Sequence, residues 1–91
     1  MTLQSLRDEI NTIDQELIDI LAKRVALVSK VGSIKKIVDL PPLDPSRWQQ
    51  VLSTRVIWGQ KLGLNPSFIR EILETIHKES LRIEEEICHK Q

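Results

Sequence analysis

One arginine interrupts an otherwise regular apolar pattern. Through the first forty residues apolar side chains recur at Leu3, Leu6, Ile10, Ile13, Leu17, Ile20, Leu27, Val31, Ile34 and Val38, in steps of three and four. Such spacing is the seam of a long helix meeting another helix. Between Ile20 and Leu27 the repeat asks for one more apolar residue, and the chain has Arg24. A charge on a packing face is costly unless something pairs with it, so Arg24 calls for an internal partner or an anionic ligand. With Leu3 and Leu6 taken as positions a and d, Arg24 falls at a. Arg7 and Lys35 fall at e, only about 50° round the helix. Three cations thus share the packing face.

Distance sorts them. Arg24 and Lys35 are about 16 Å apart along a helix, within reach of one small anion for two long side chains. Arg7 is about 25 Å from Arg24 and cannot reach the same ligand in its own chain. In an antiparallel dimer of this helix, Arg7 of one protomer would meet the Arg24–Lys35 region of the other, and two-fold symmetry would give two equal sites. Further on, Ser80 takes an apolar place between Ile76 and Ile83, with Glu84 one turn below it. At i, i+4 on the edge of an apolar stripe the two can face one pocket. Asp44 and Arg47 would close it from a third side. Each residue also has an ordinary structural use: a solvated first-turn Arg7, a capping Asp44, a Ser80 bonding back to a carbonyl, a Glu84 in an acidic tail.

Other chemistries find little to work with. His77 and His89 lack partners at metal-ligand spacing, and Cys88-His89 is isolated. The sequence has no glycine-rich phosphate loop and no spacing that supports a Ser-His-Asp arrangement. No metal or cofactor is expected. Trp48 and Trp58 read as core or interface anchors.

These residues need a scaffold, and the chain supplies an all-α one. Helix 1 is expected to start after a capping Thr2 and to run to about Val38, a rod of roughly 54 Å. Gly32 inside it marks close helix packing. The stretch Asp39–Leu43 is a break, because Pro41 and Pro42 forbid helix. Asp44-Pro45 then opens helix 2, expected to about Lys61 with Gly63 as its C-cap, and with Trp48, Val51, Leu52, Arg55 and Leu62 near one face. Asn65-Pro66 opens helix 3, expected to about Cys88 with Ile69, Ile72, Leu73, Ile76, Ile83 and Ile87 buried. Its Glu84-Glu85-Glu86 end is expected to fray.

Ninety-one residues make one domain, 1–91, whose own core is marginal at this size. A homodimer would add to it. Thirteen basic residues balance thirteen acidic ones, which removes the global basic field expected for nucleic acid. A single cysteine fits a reducing compartment, and no apolar run approaches a membrane span, so a cytoplasmic protein is expected.

Taken in order, Leu6-Arg7 with Ile10, Ile13-Asp14 with Leu17, Leu21-Ala22-Lys23-Arg24, Val31-Gly32 with Lys35, Asp44 with Arg47, Gly63-Leu64 and Ser80 resemble the all-helical chorismate mutases of the small dimeric type. The resemblance implies a three-helix protomer with a long first helix, an intertwined homodimer and two shared active sites that rearrange chorismate to prephenate in phenylalanine and tyrosine biosynthesis. It implies that Arg7 from the partner chain, Arg24 and Arg47 hold the substrate carboxylates. Lys35 would donate to the ether oxygen, Asp44 would lie near the ring hydroxyl, and Ser80 would line the site. The rearrangement needs no nucleophile or cofactor. It needs a compact conformer and stabilised negative charge on the breaking C–O oxygen, which a cationic pocket provides.

Two positions depart from the family pattern. Many members have Glu directly after the residue matching Arg47, where this chain has Trp48, read as a packing residue. Many have Gln where this chain has Glu84. An ionised carboxylate would repel the developing charge there, so Glu84 is expected to act as the protonated acid. The same fold and pocket also suit an isochorismate-pyruvate lyase. A non-catalytic helical dimerisation or regulatory module of a fused shikimate-pathway enzyme is the reading of another kind.

Overall fold

The computed structural model describes residues 1–89, as three helices: α1 (Leu3–Val38), α2 (Pro45–Lys61) and α3 (Pro66–His89). Each begins on the capping residue that the sequence supplies. The Thr2 hydroxyl accepts from the Ser5 backbone N–H at 3.0 Å, while the Thr2 N–H donates to Ser5 Oγ at 2.9 Å, a reciprocal box that satisfies two helix-end groups. Asp44 Oδ1 accepts from the Arg47 N–H at 3.1 Å with Pro45 in the first helical position. Asn65 Oδ1 accepts from the N–H groups of Ser67 and Phe68.

The helix ends are as locally determined as the starts. α1 stops on Asp39, which adopts the left-handed conformation (φ 59°) ahead of the two prolines. At the end of α2 the capping position itself is Leu62, and Gly63 (φ 82°) is the residue after it. The Leu64 N–H then returns to the Gly59 carbonyl at 3.0 Å, the closure that a left-handed residue permits.

α3 packs on both α1 and α2, which do not pack on each other. Two glycines set the approach. A Cβ on Gly32 would lie 3.3 Å from Glu84 Cα and 3.2 Å from Ile87 Cδ1, so α1 and α3 approach closely where Glu84 sits. A Cβ on Gly59 would overlap Ile69 Cδ1 at 2.0 Å, which fixes α2 against the start of α3.

Three expectations about α3 and α2 are corrected. Ile72 is exposed, because the packed stripe runs through Ile69, Leu73, Ile76 and Ser80 to Glu84, and Ile72 lies at its edge. Leu62 is exposed, standing beyond the last turn of α2 rather than on its face. The acidic end of α3 does not fray: the helix continues to His89, and Glu84 is buried against Gly32 and Lys35.

The core of one chain is thin. Among the described residues the buried apolar side chains are Val51, Val56 and Ile69. All ten apolar residues of the α1 seam are exposed. The molecule measures 55 × 25 × 14 Å with a radius of gyration of 16.4 Å. A compact chain of this length would have a radius near ~12 Å. Its accessible surface is 7314 Å², against roughly 5,400 Å² for a compact monomer of this mass. No described helix is long and apolar enough to cross a membrane.

Candidate functional site

Where α3 crosses α1, the proline link and the first turn of α2 close over a pocket. Its lining includes Arg24 and Lys35 from α1, Pro42 and Asp44 from the link, Arg47 and Trp48 from α2, and His77, Ser80 and Glu84 from α3. The α3 residues follow from helical period alone, since positions 77, 80 and 84 lie on one face.

Each pocket cation is held by a different element. Arg24 Nη1 donates to Ser80 Oγ at 2.8 Å, and the Ser80 hydroxyl donates in turn to the Ile76 carbonyl at 2.9 Å. Ser80 thus fills the gap in the apolar stripe and orients the misplaced arginine of α1. Lys35 Nζ donates to the Pro42 carbonyl at 2.6 Å and forms an ion pair with Glu84 Oε1 at 2.7 Å. One ammonium therefore ties the link and α3 to α1. That contact gives Oε1 charge compensation without hydrogen-bond geometry, and the oxygen is buried. Arg47 is exposed, its Nη1 donating to Gln50 Oε1 at 2.9 Å.

The electrostatics of the pocket are those of crowded cations. Partial burial holds Arg24 below the ordinary arginine range, as do the neighbouring charges of Arg55 and Arg47, while Glu84 pulls the other way. His77 is lowered from its usual value of 6.5, first by burial and also by Arg24 and Lys35, with Glu84 opposing. At neutral pH its imidazole is uncharged. The ring lies flat against Trp48, centroids 3.9 Å apart and planes 6° from parallel.

Of the residues singled out by sequence, the structure brings Arg24, Lys35, Asp44, Arg47, Ser80 and Glu84 to one pocket. Arg7 is exposed in the second turn of α1 and does not line the pocket of its own chain. Glu84 is the ion-pair partner of Lys35. Sequence reasoning missed His77 and gave Trp48 a packing role alone. The signal for His77 was its spacing, one turn before Ser80 and two before Glu84. The stack itself depends on how α2 crosses α3, which no local pattern encodes.

Comparison with known proteins agrees with this geometry. The family model described as chorismate mutase type II matches residues 6–85. The T-protein of Enterobacter agglomerans is 38% identical over 78 residues, 86% of this chain and 21% of that protein. A bifunctional chorismate mutase/prephenate dehydratase of Buchnera aphidicola subsp. Schizaphis graminum is 32% identical over 88 residues, 97% of this chain and 23% of its own length. A 4-amino-4-deoxychorismate mutase of Streptomyces pristinaespiralis is 29% identical over 84 residues, 92% of this chain and 65% of that protein. The chain therefore spans about a fifth of the length of the T-proteins it matches. The match of the family model across the pocket and all three helices shows that this chain belongs to the type II chorismate mutase family.

Proposed function

We propose that this chain rearranges chorismate to prephenate, as a cytoplasmic homodimer with two shared pockets, in the biosynthesis of phenylalanine and tyrosine. The observation that carries the reading is the convergence of Arg24, Lys35 and Arg47 on one pocket, with Arg24 held below its ordinary range by partial burial and by the charges of Arg55 and Arg47. A small doubly charged anion would relieve that crowding.

In the rearrangement one ether C–O bond breaks and one C–C bond forms within the same molecule, so no group has to supply a proton or an electron pair. The pocket's task is to hold the compact conformer and to stabilise charge on the departing oxygen. The forks of Arg24 and Arg47 suit the carboxylates, joined by Arg7 of a second copy. Lys35 has three donor hydrogens, of which the Pro42 carbonyl takes one, and the ammonium can turn another toward the ether oxygen while it stays paired with Glu84. Ser80 holds Arg24, Asp44 lies at the ring-hydroxyl end, and Glu84 positions Lys35 and becomes a donor only when protonated.

Exposed area supports the dimer. One chain exposes roughly 1,900 Å² more than a compact monomer would, against about 800 Å² per partner in a standard interface. The exposed α1 seam is the surface that a second α1 would cover. The chain, read as one domain over 1–91, suits fusion to a second enzyme of the pathway, as in the bifunctional relatives.

Loss of chorismate absorbance tests the reading. The wild type should consume chorismate, and Arg24→Ala should lower kcat/KM by about 10²–10³-fold, as expected for removing a preorganised charged donor. Equal rates would contradict it. The Streptomyces relative brings a second substrate, the analogue with an amino group in place of the ring hydroxyl.

A further inference from the structure

Two rings in the pocket have no task in the reading above. Trp48 from α2 and His77 from α3 lie face to face, and both line the same wall as Arg24 and Glu84. In a stack each ring gives one face to the other, so a ligand meets an edge or an outer face. The edge of His77 carries two nitrogens, and no hydrogen bond among the described residues uses them.

The charged groups around His77 are known from every side. The charges of Arg24 and Lys35 on α1 and of Glu84 on its own helix act on it, and Asp44 and Arg47 line the same pocket from the link and α2. Burial and the two α1 cations keep the imidazole uncharged. It therefore offers one acceptor nitrogen and one N–H, a pair that matches a hydroxyl. An ammonium in the same place would meet three cations. Of the two carboxylates, Glu84 is paired with Lys35 and Asp44 already accepts from the Arg47 N–H.

We propose that His77 is a specificity-determining residue, whose imidazole, held flat by Trp48, hydrogen bonds an uncharged hydroxyl on the ring of the bound dicarboxylate and so selects that ligand over one with an ammonium there. This rests on the function proposed above. Trp48 is a positioning residue: it fixes the plane of the imidazole and need not touch the hydroxyl.

The test compares kcat/KM for chorismate and for its ring-amino analogue, in the wild type and in His77→Phe, which keeps a flat ring and removes both nitrogens. The wild type should prefer chorismate, and His77→Phe should reduce that preference about tenfold, through the hydroxyl substrate. An unchanged ratio, or a wild type that prefers the amine, would overturn the role of His77 and leave the mutase reading standing. A wild type that turns over neither substrate would overturn both. A second measurement needs no variant: prephenate added to the wild type should move the NMR signals of the His77 ring and leave those of exposed His89 in place. His77 signals that do not move would overturn the proposal even if His77→Phe failed to fold.

Discussion

Arg24 interrupts the apolar seam of α1 and is bonded by the serine that interrupts the stripe of α3, so the two irregularities are one feature. Arg24→Lys should keep the charge but lose the fork, and kcat/KM should fall about tenfold, less than for Arg24→Ala. Lys35→Ala should act on stability as well as turnover, because it leaves the Glu84 carboxylate buried without its cation. A loss of about 3 kcal/mol in a urea titration is expected, and Lys35→Ala with Glu84→Gln should recover part of it. His77 gives a pH dependence whose sign is fixed. Its pKa is lower folded than unfolded, so the unfolded chain takes up the proton first. Stability contributed by neutral His77 is complete above about pH 6.5 and is lost as pH falls through and below that value. Melting temperatures measured across pH 5–8 should show that slope, and His77→Phe should lessen it. The pocket cations were legible in the sequence because a charge in an apolar repeat is conspicuous. The Lys35–Glu84 pair and the Trp48–His77 stack were not, since they depend on which helices cross and where.

At the scale of elements, helix starts were the most legible feature. Thr2, Asp44-Pro45 and Asn65-Pro66 are local devices, and each helix begins where they stand. Ends and faces were less so: Gly63 lies one place beyond the cap, and Ile72 and Leu62 are exposed although apolar, because apolar type alone does not say where a packed stripe has its edge. The glycines carry a testable consequence. Gly32→Ala would gain helix propensity but press on the backbone of Glu84, two effects of similar size and opposite sign. Stability should change by less than about 1 kcal/mol while turnover falls, because Glu84 and its partner Lys35 shift. Gly59→Ala forces Ile69 out of its place in the core and should destabilise by about 1–2 kcal/mol. Denaturant titrations beside chorismate assays separate the two cases.

At the scale of the molecule, the long arm of α1 explains why so small a chain has so few buried apolar residues. Every residue of its N-terminal half is exposed, and a rod with so long an uncovered apolar face suits a partner. Sedimentation at micromolar concentration should give twice the chain mass, and Leu17→Lys should lower both the mass and the melting temperature. The central claim is that each pocket takes Arg24 from one chain and Arg7 from the other. Arg7→Ala and Arg24→Ala chains should each be nearly inactive alone. Co-refolded in equal amounts, they should regain about a quarter of wild-type activity, because half the dimers are mixed and each mixed dimer rebuilds one intact site. Activity that stays at the level of the separate variants would contradict a pocket shared between two chains.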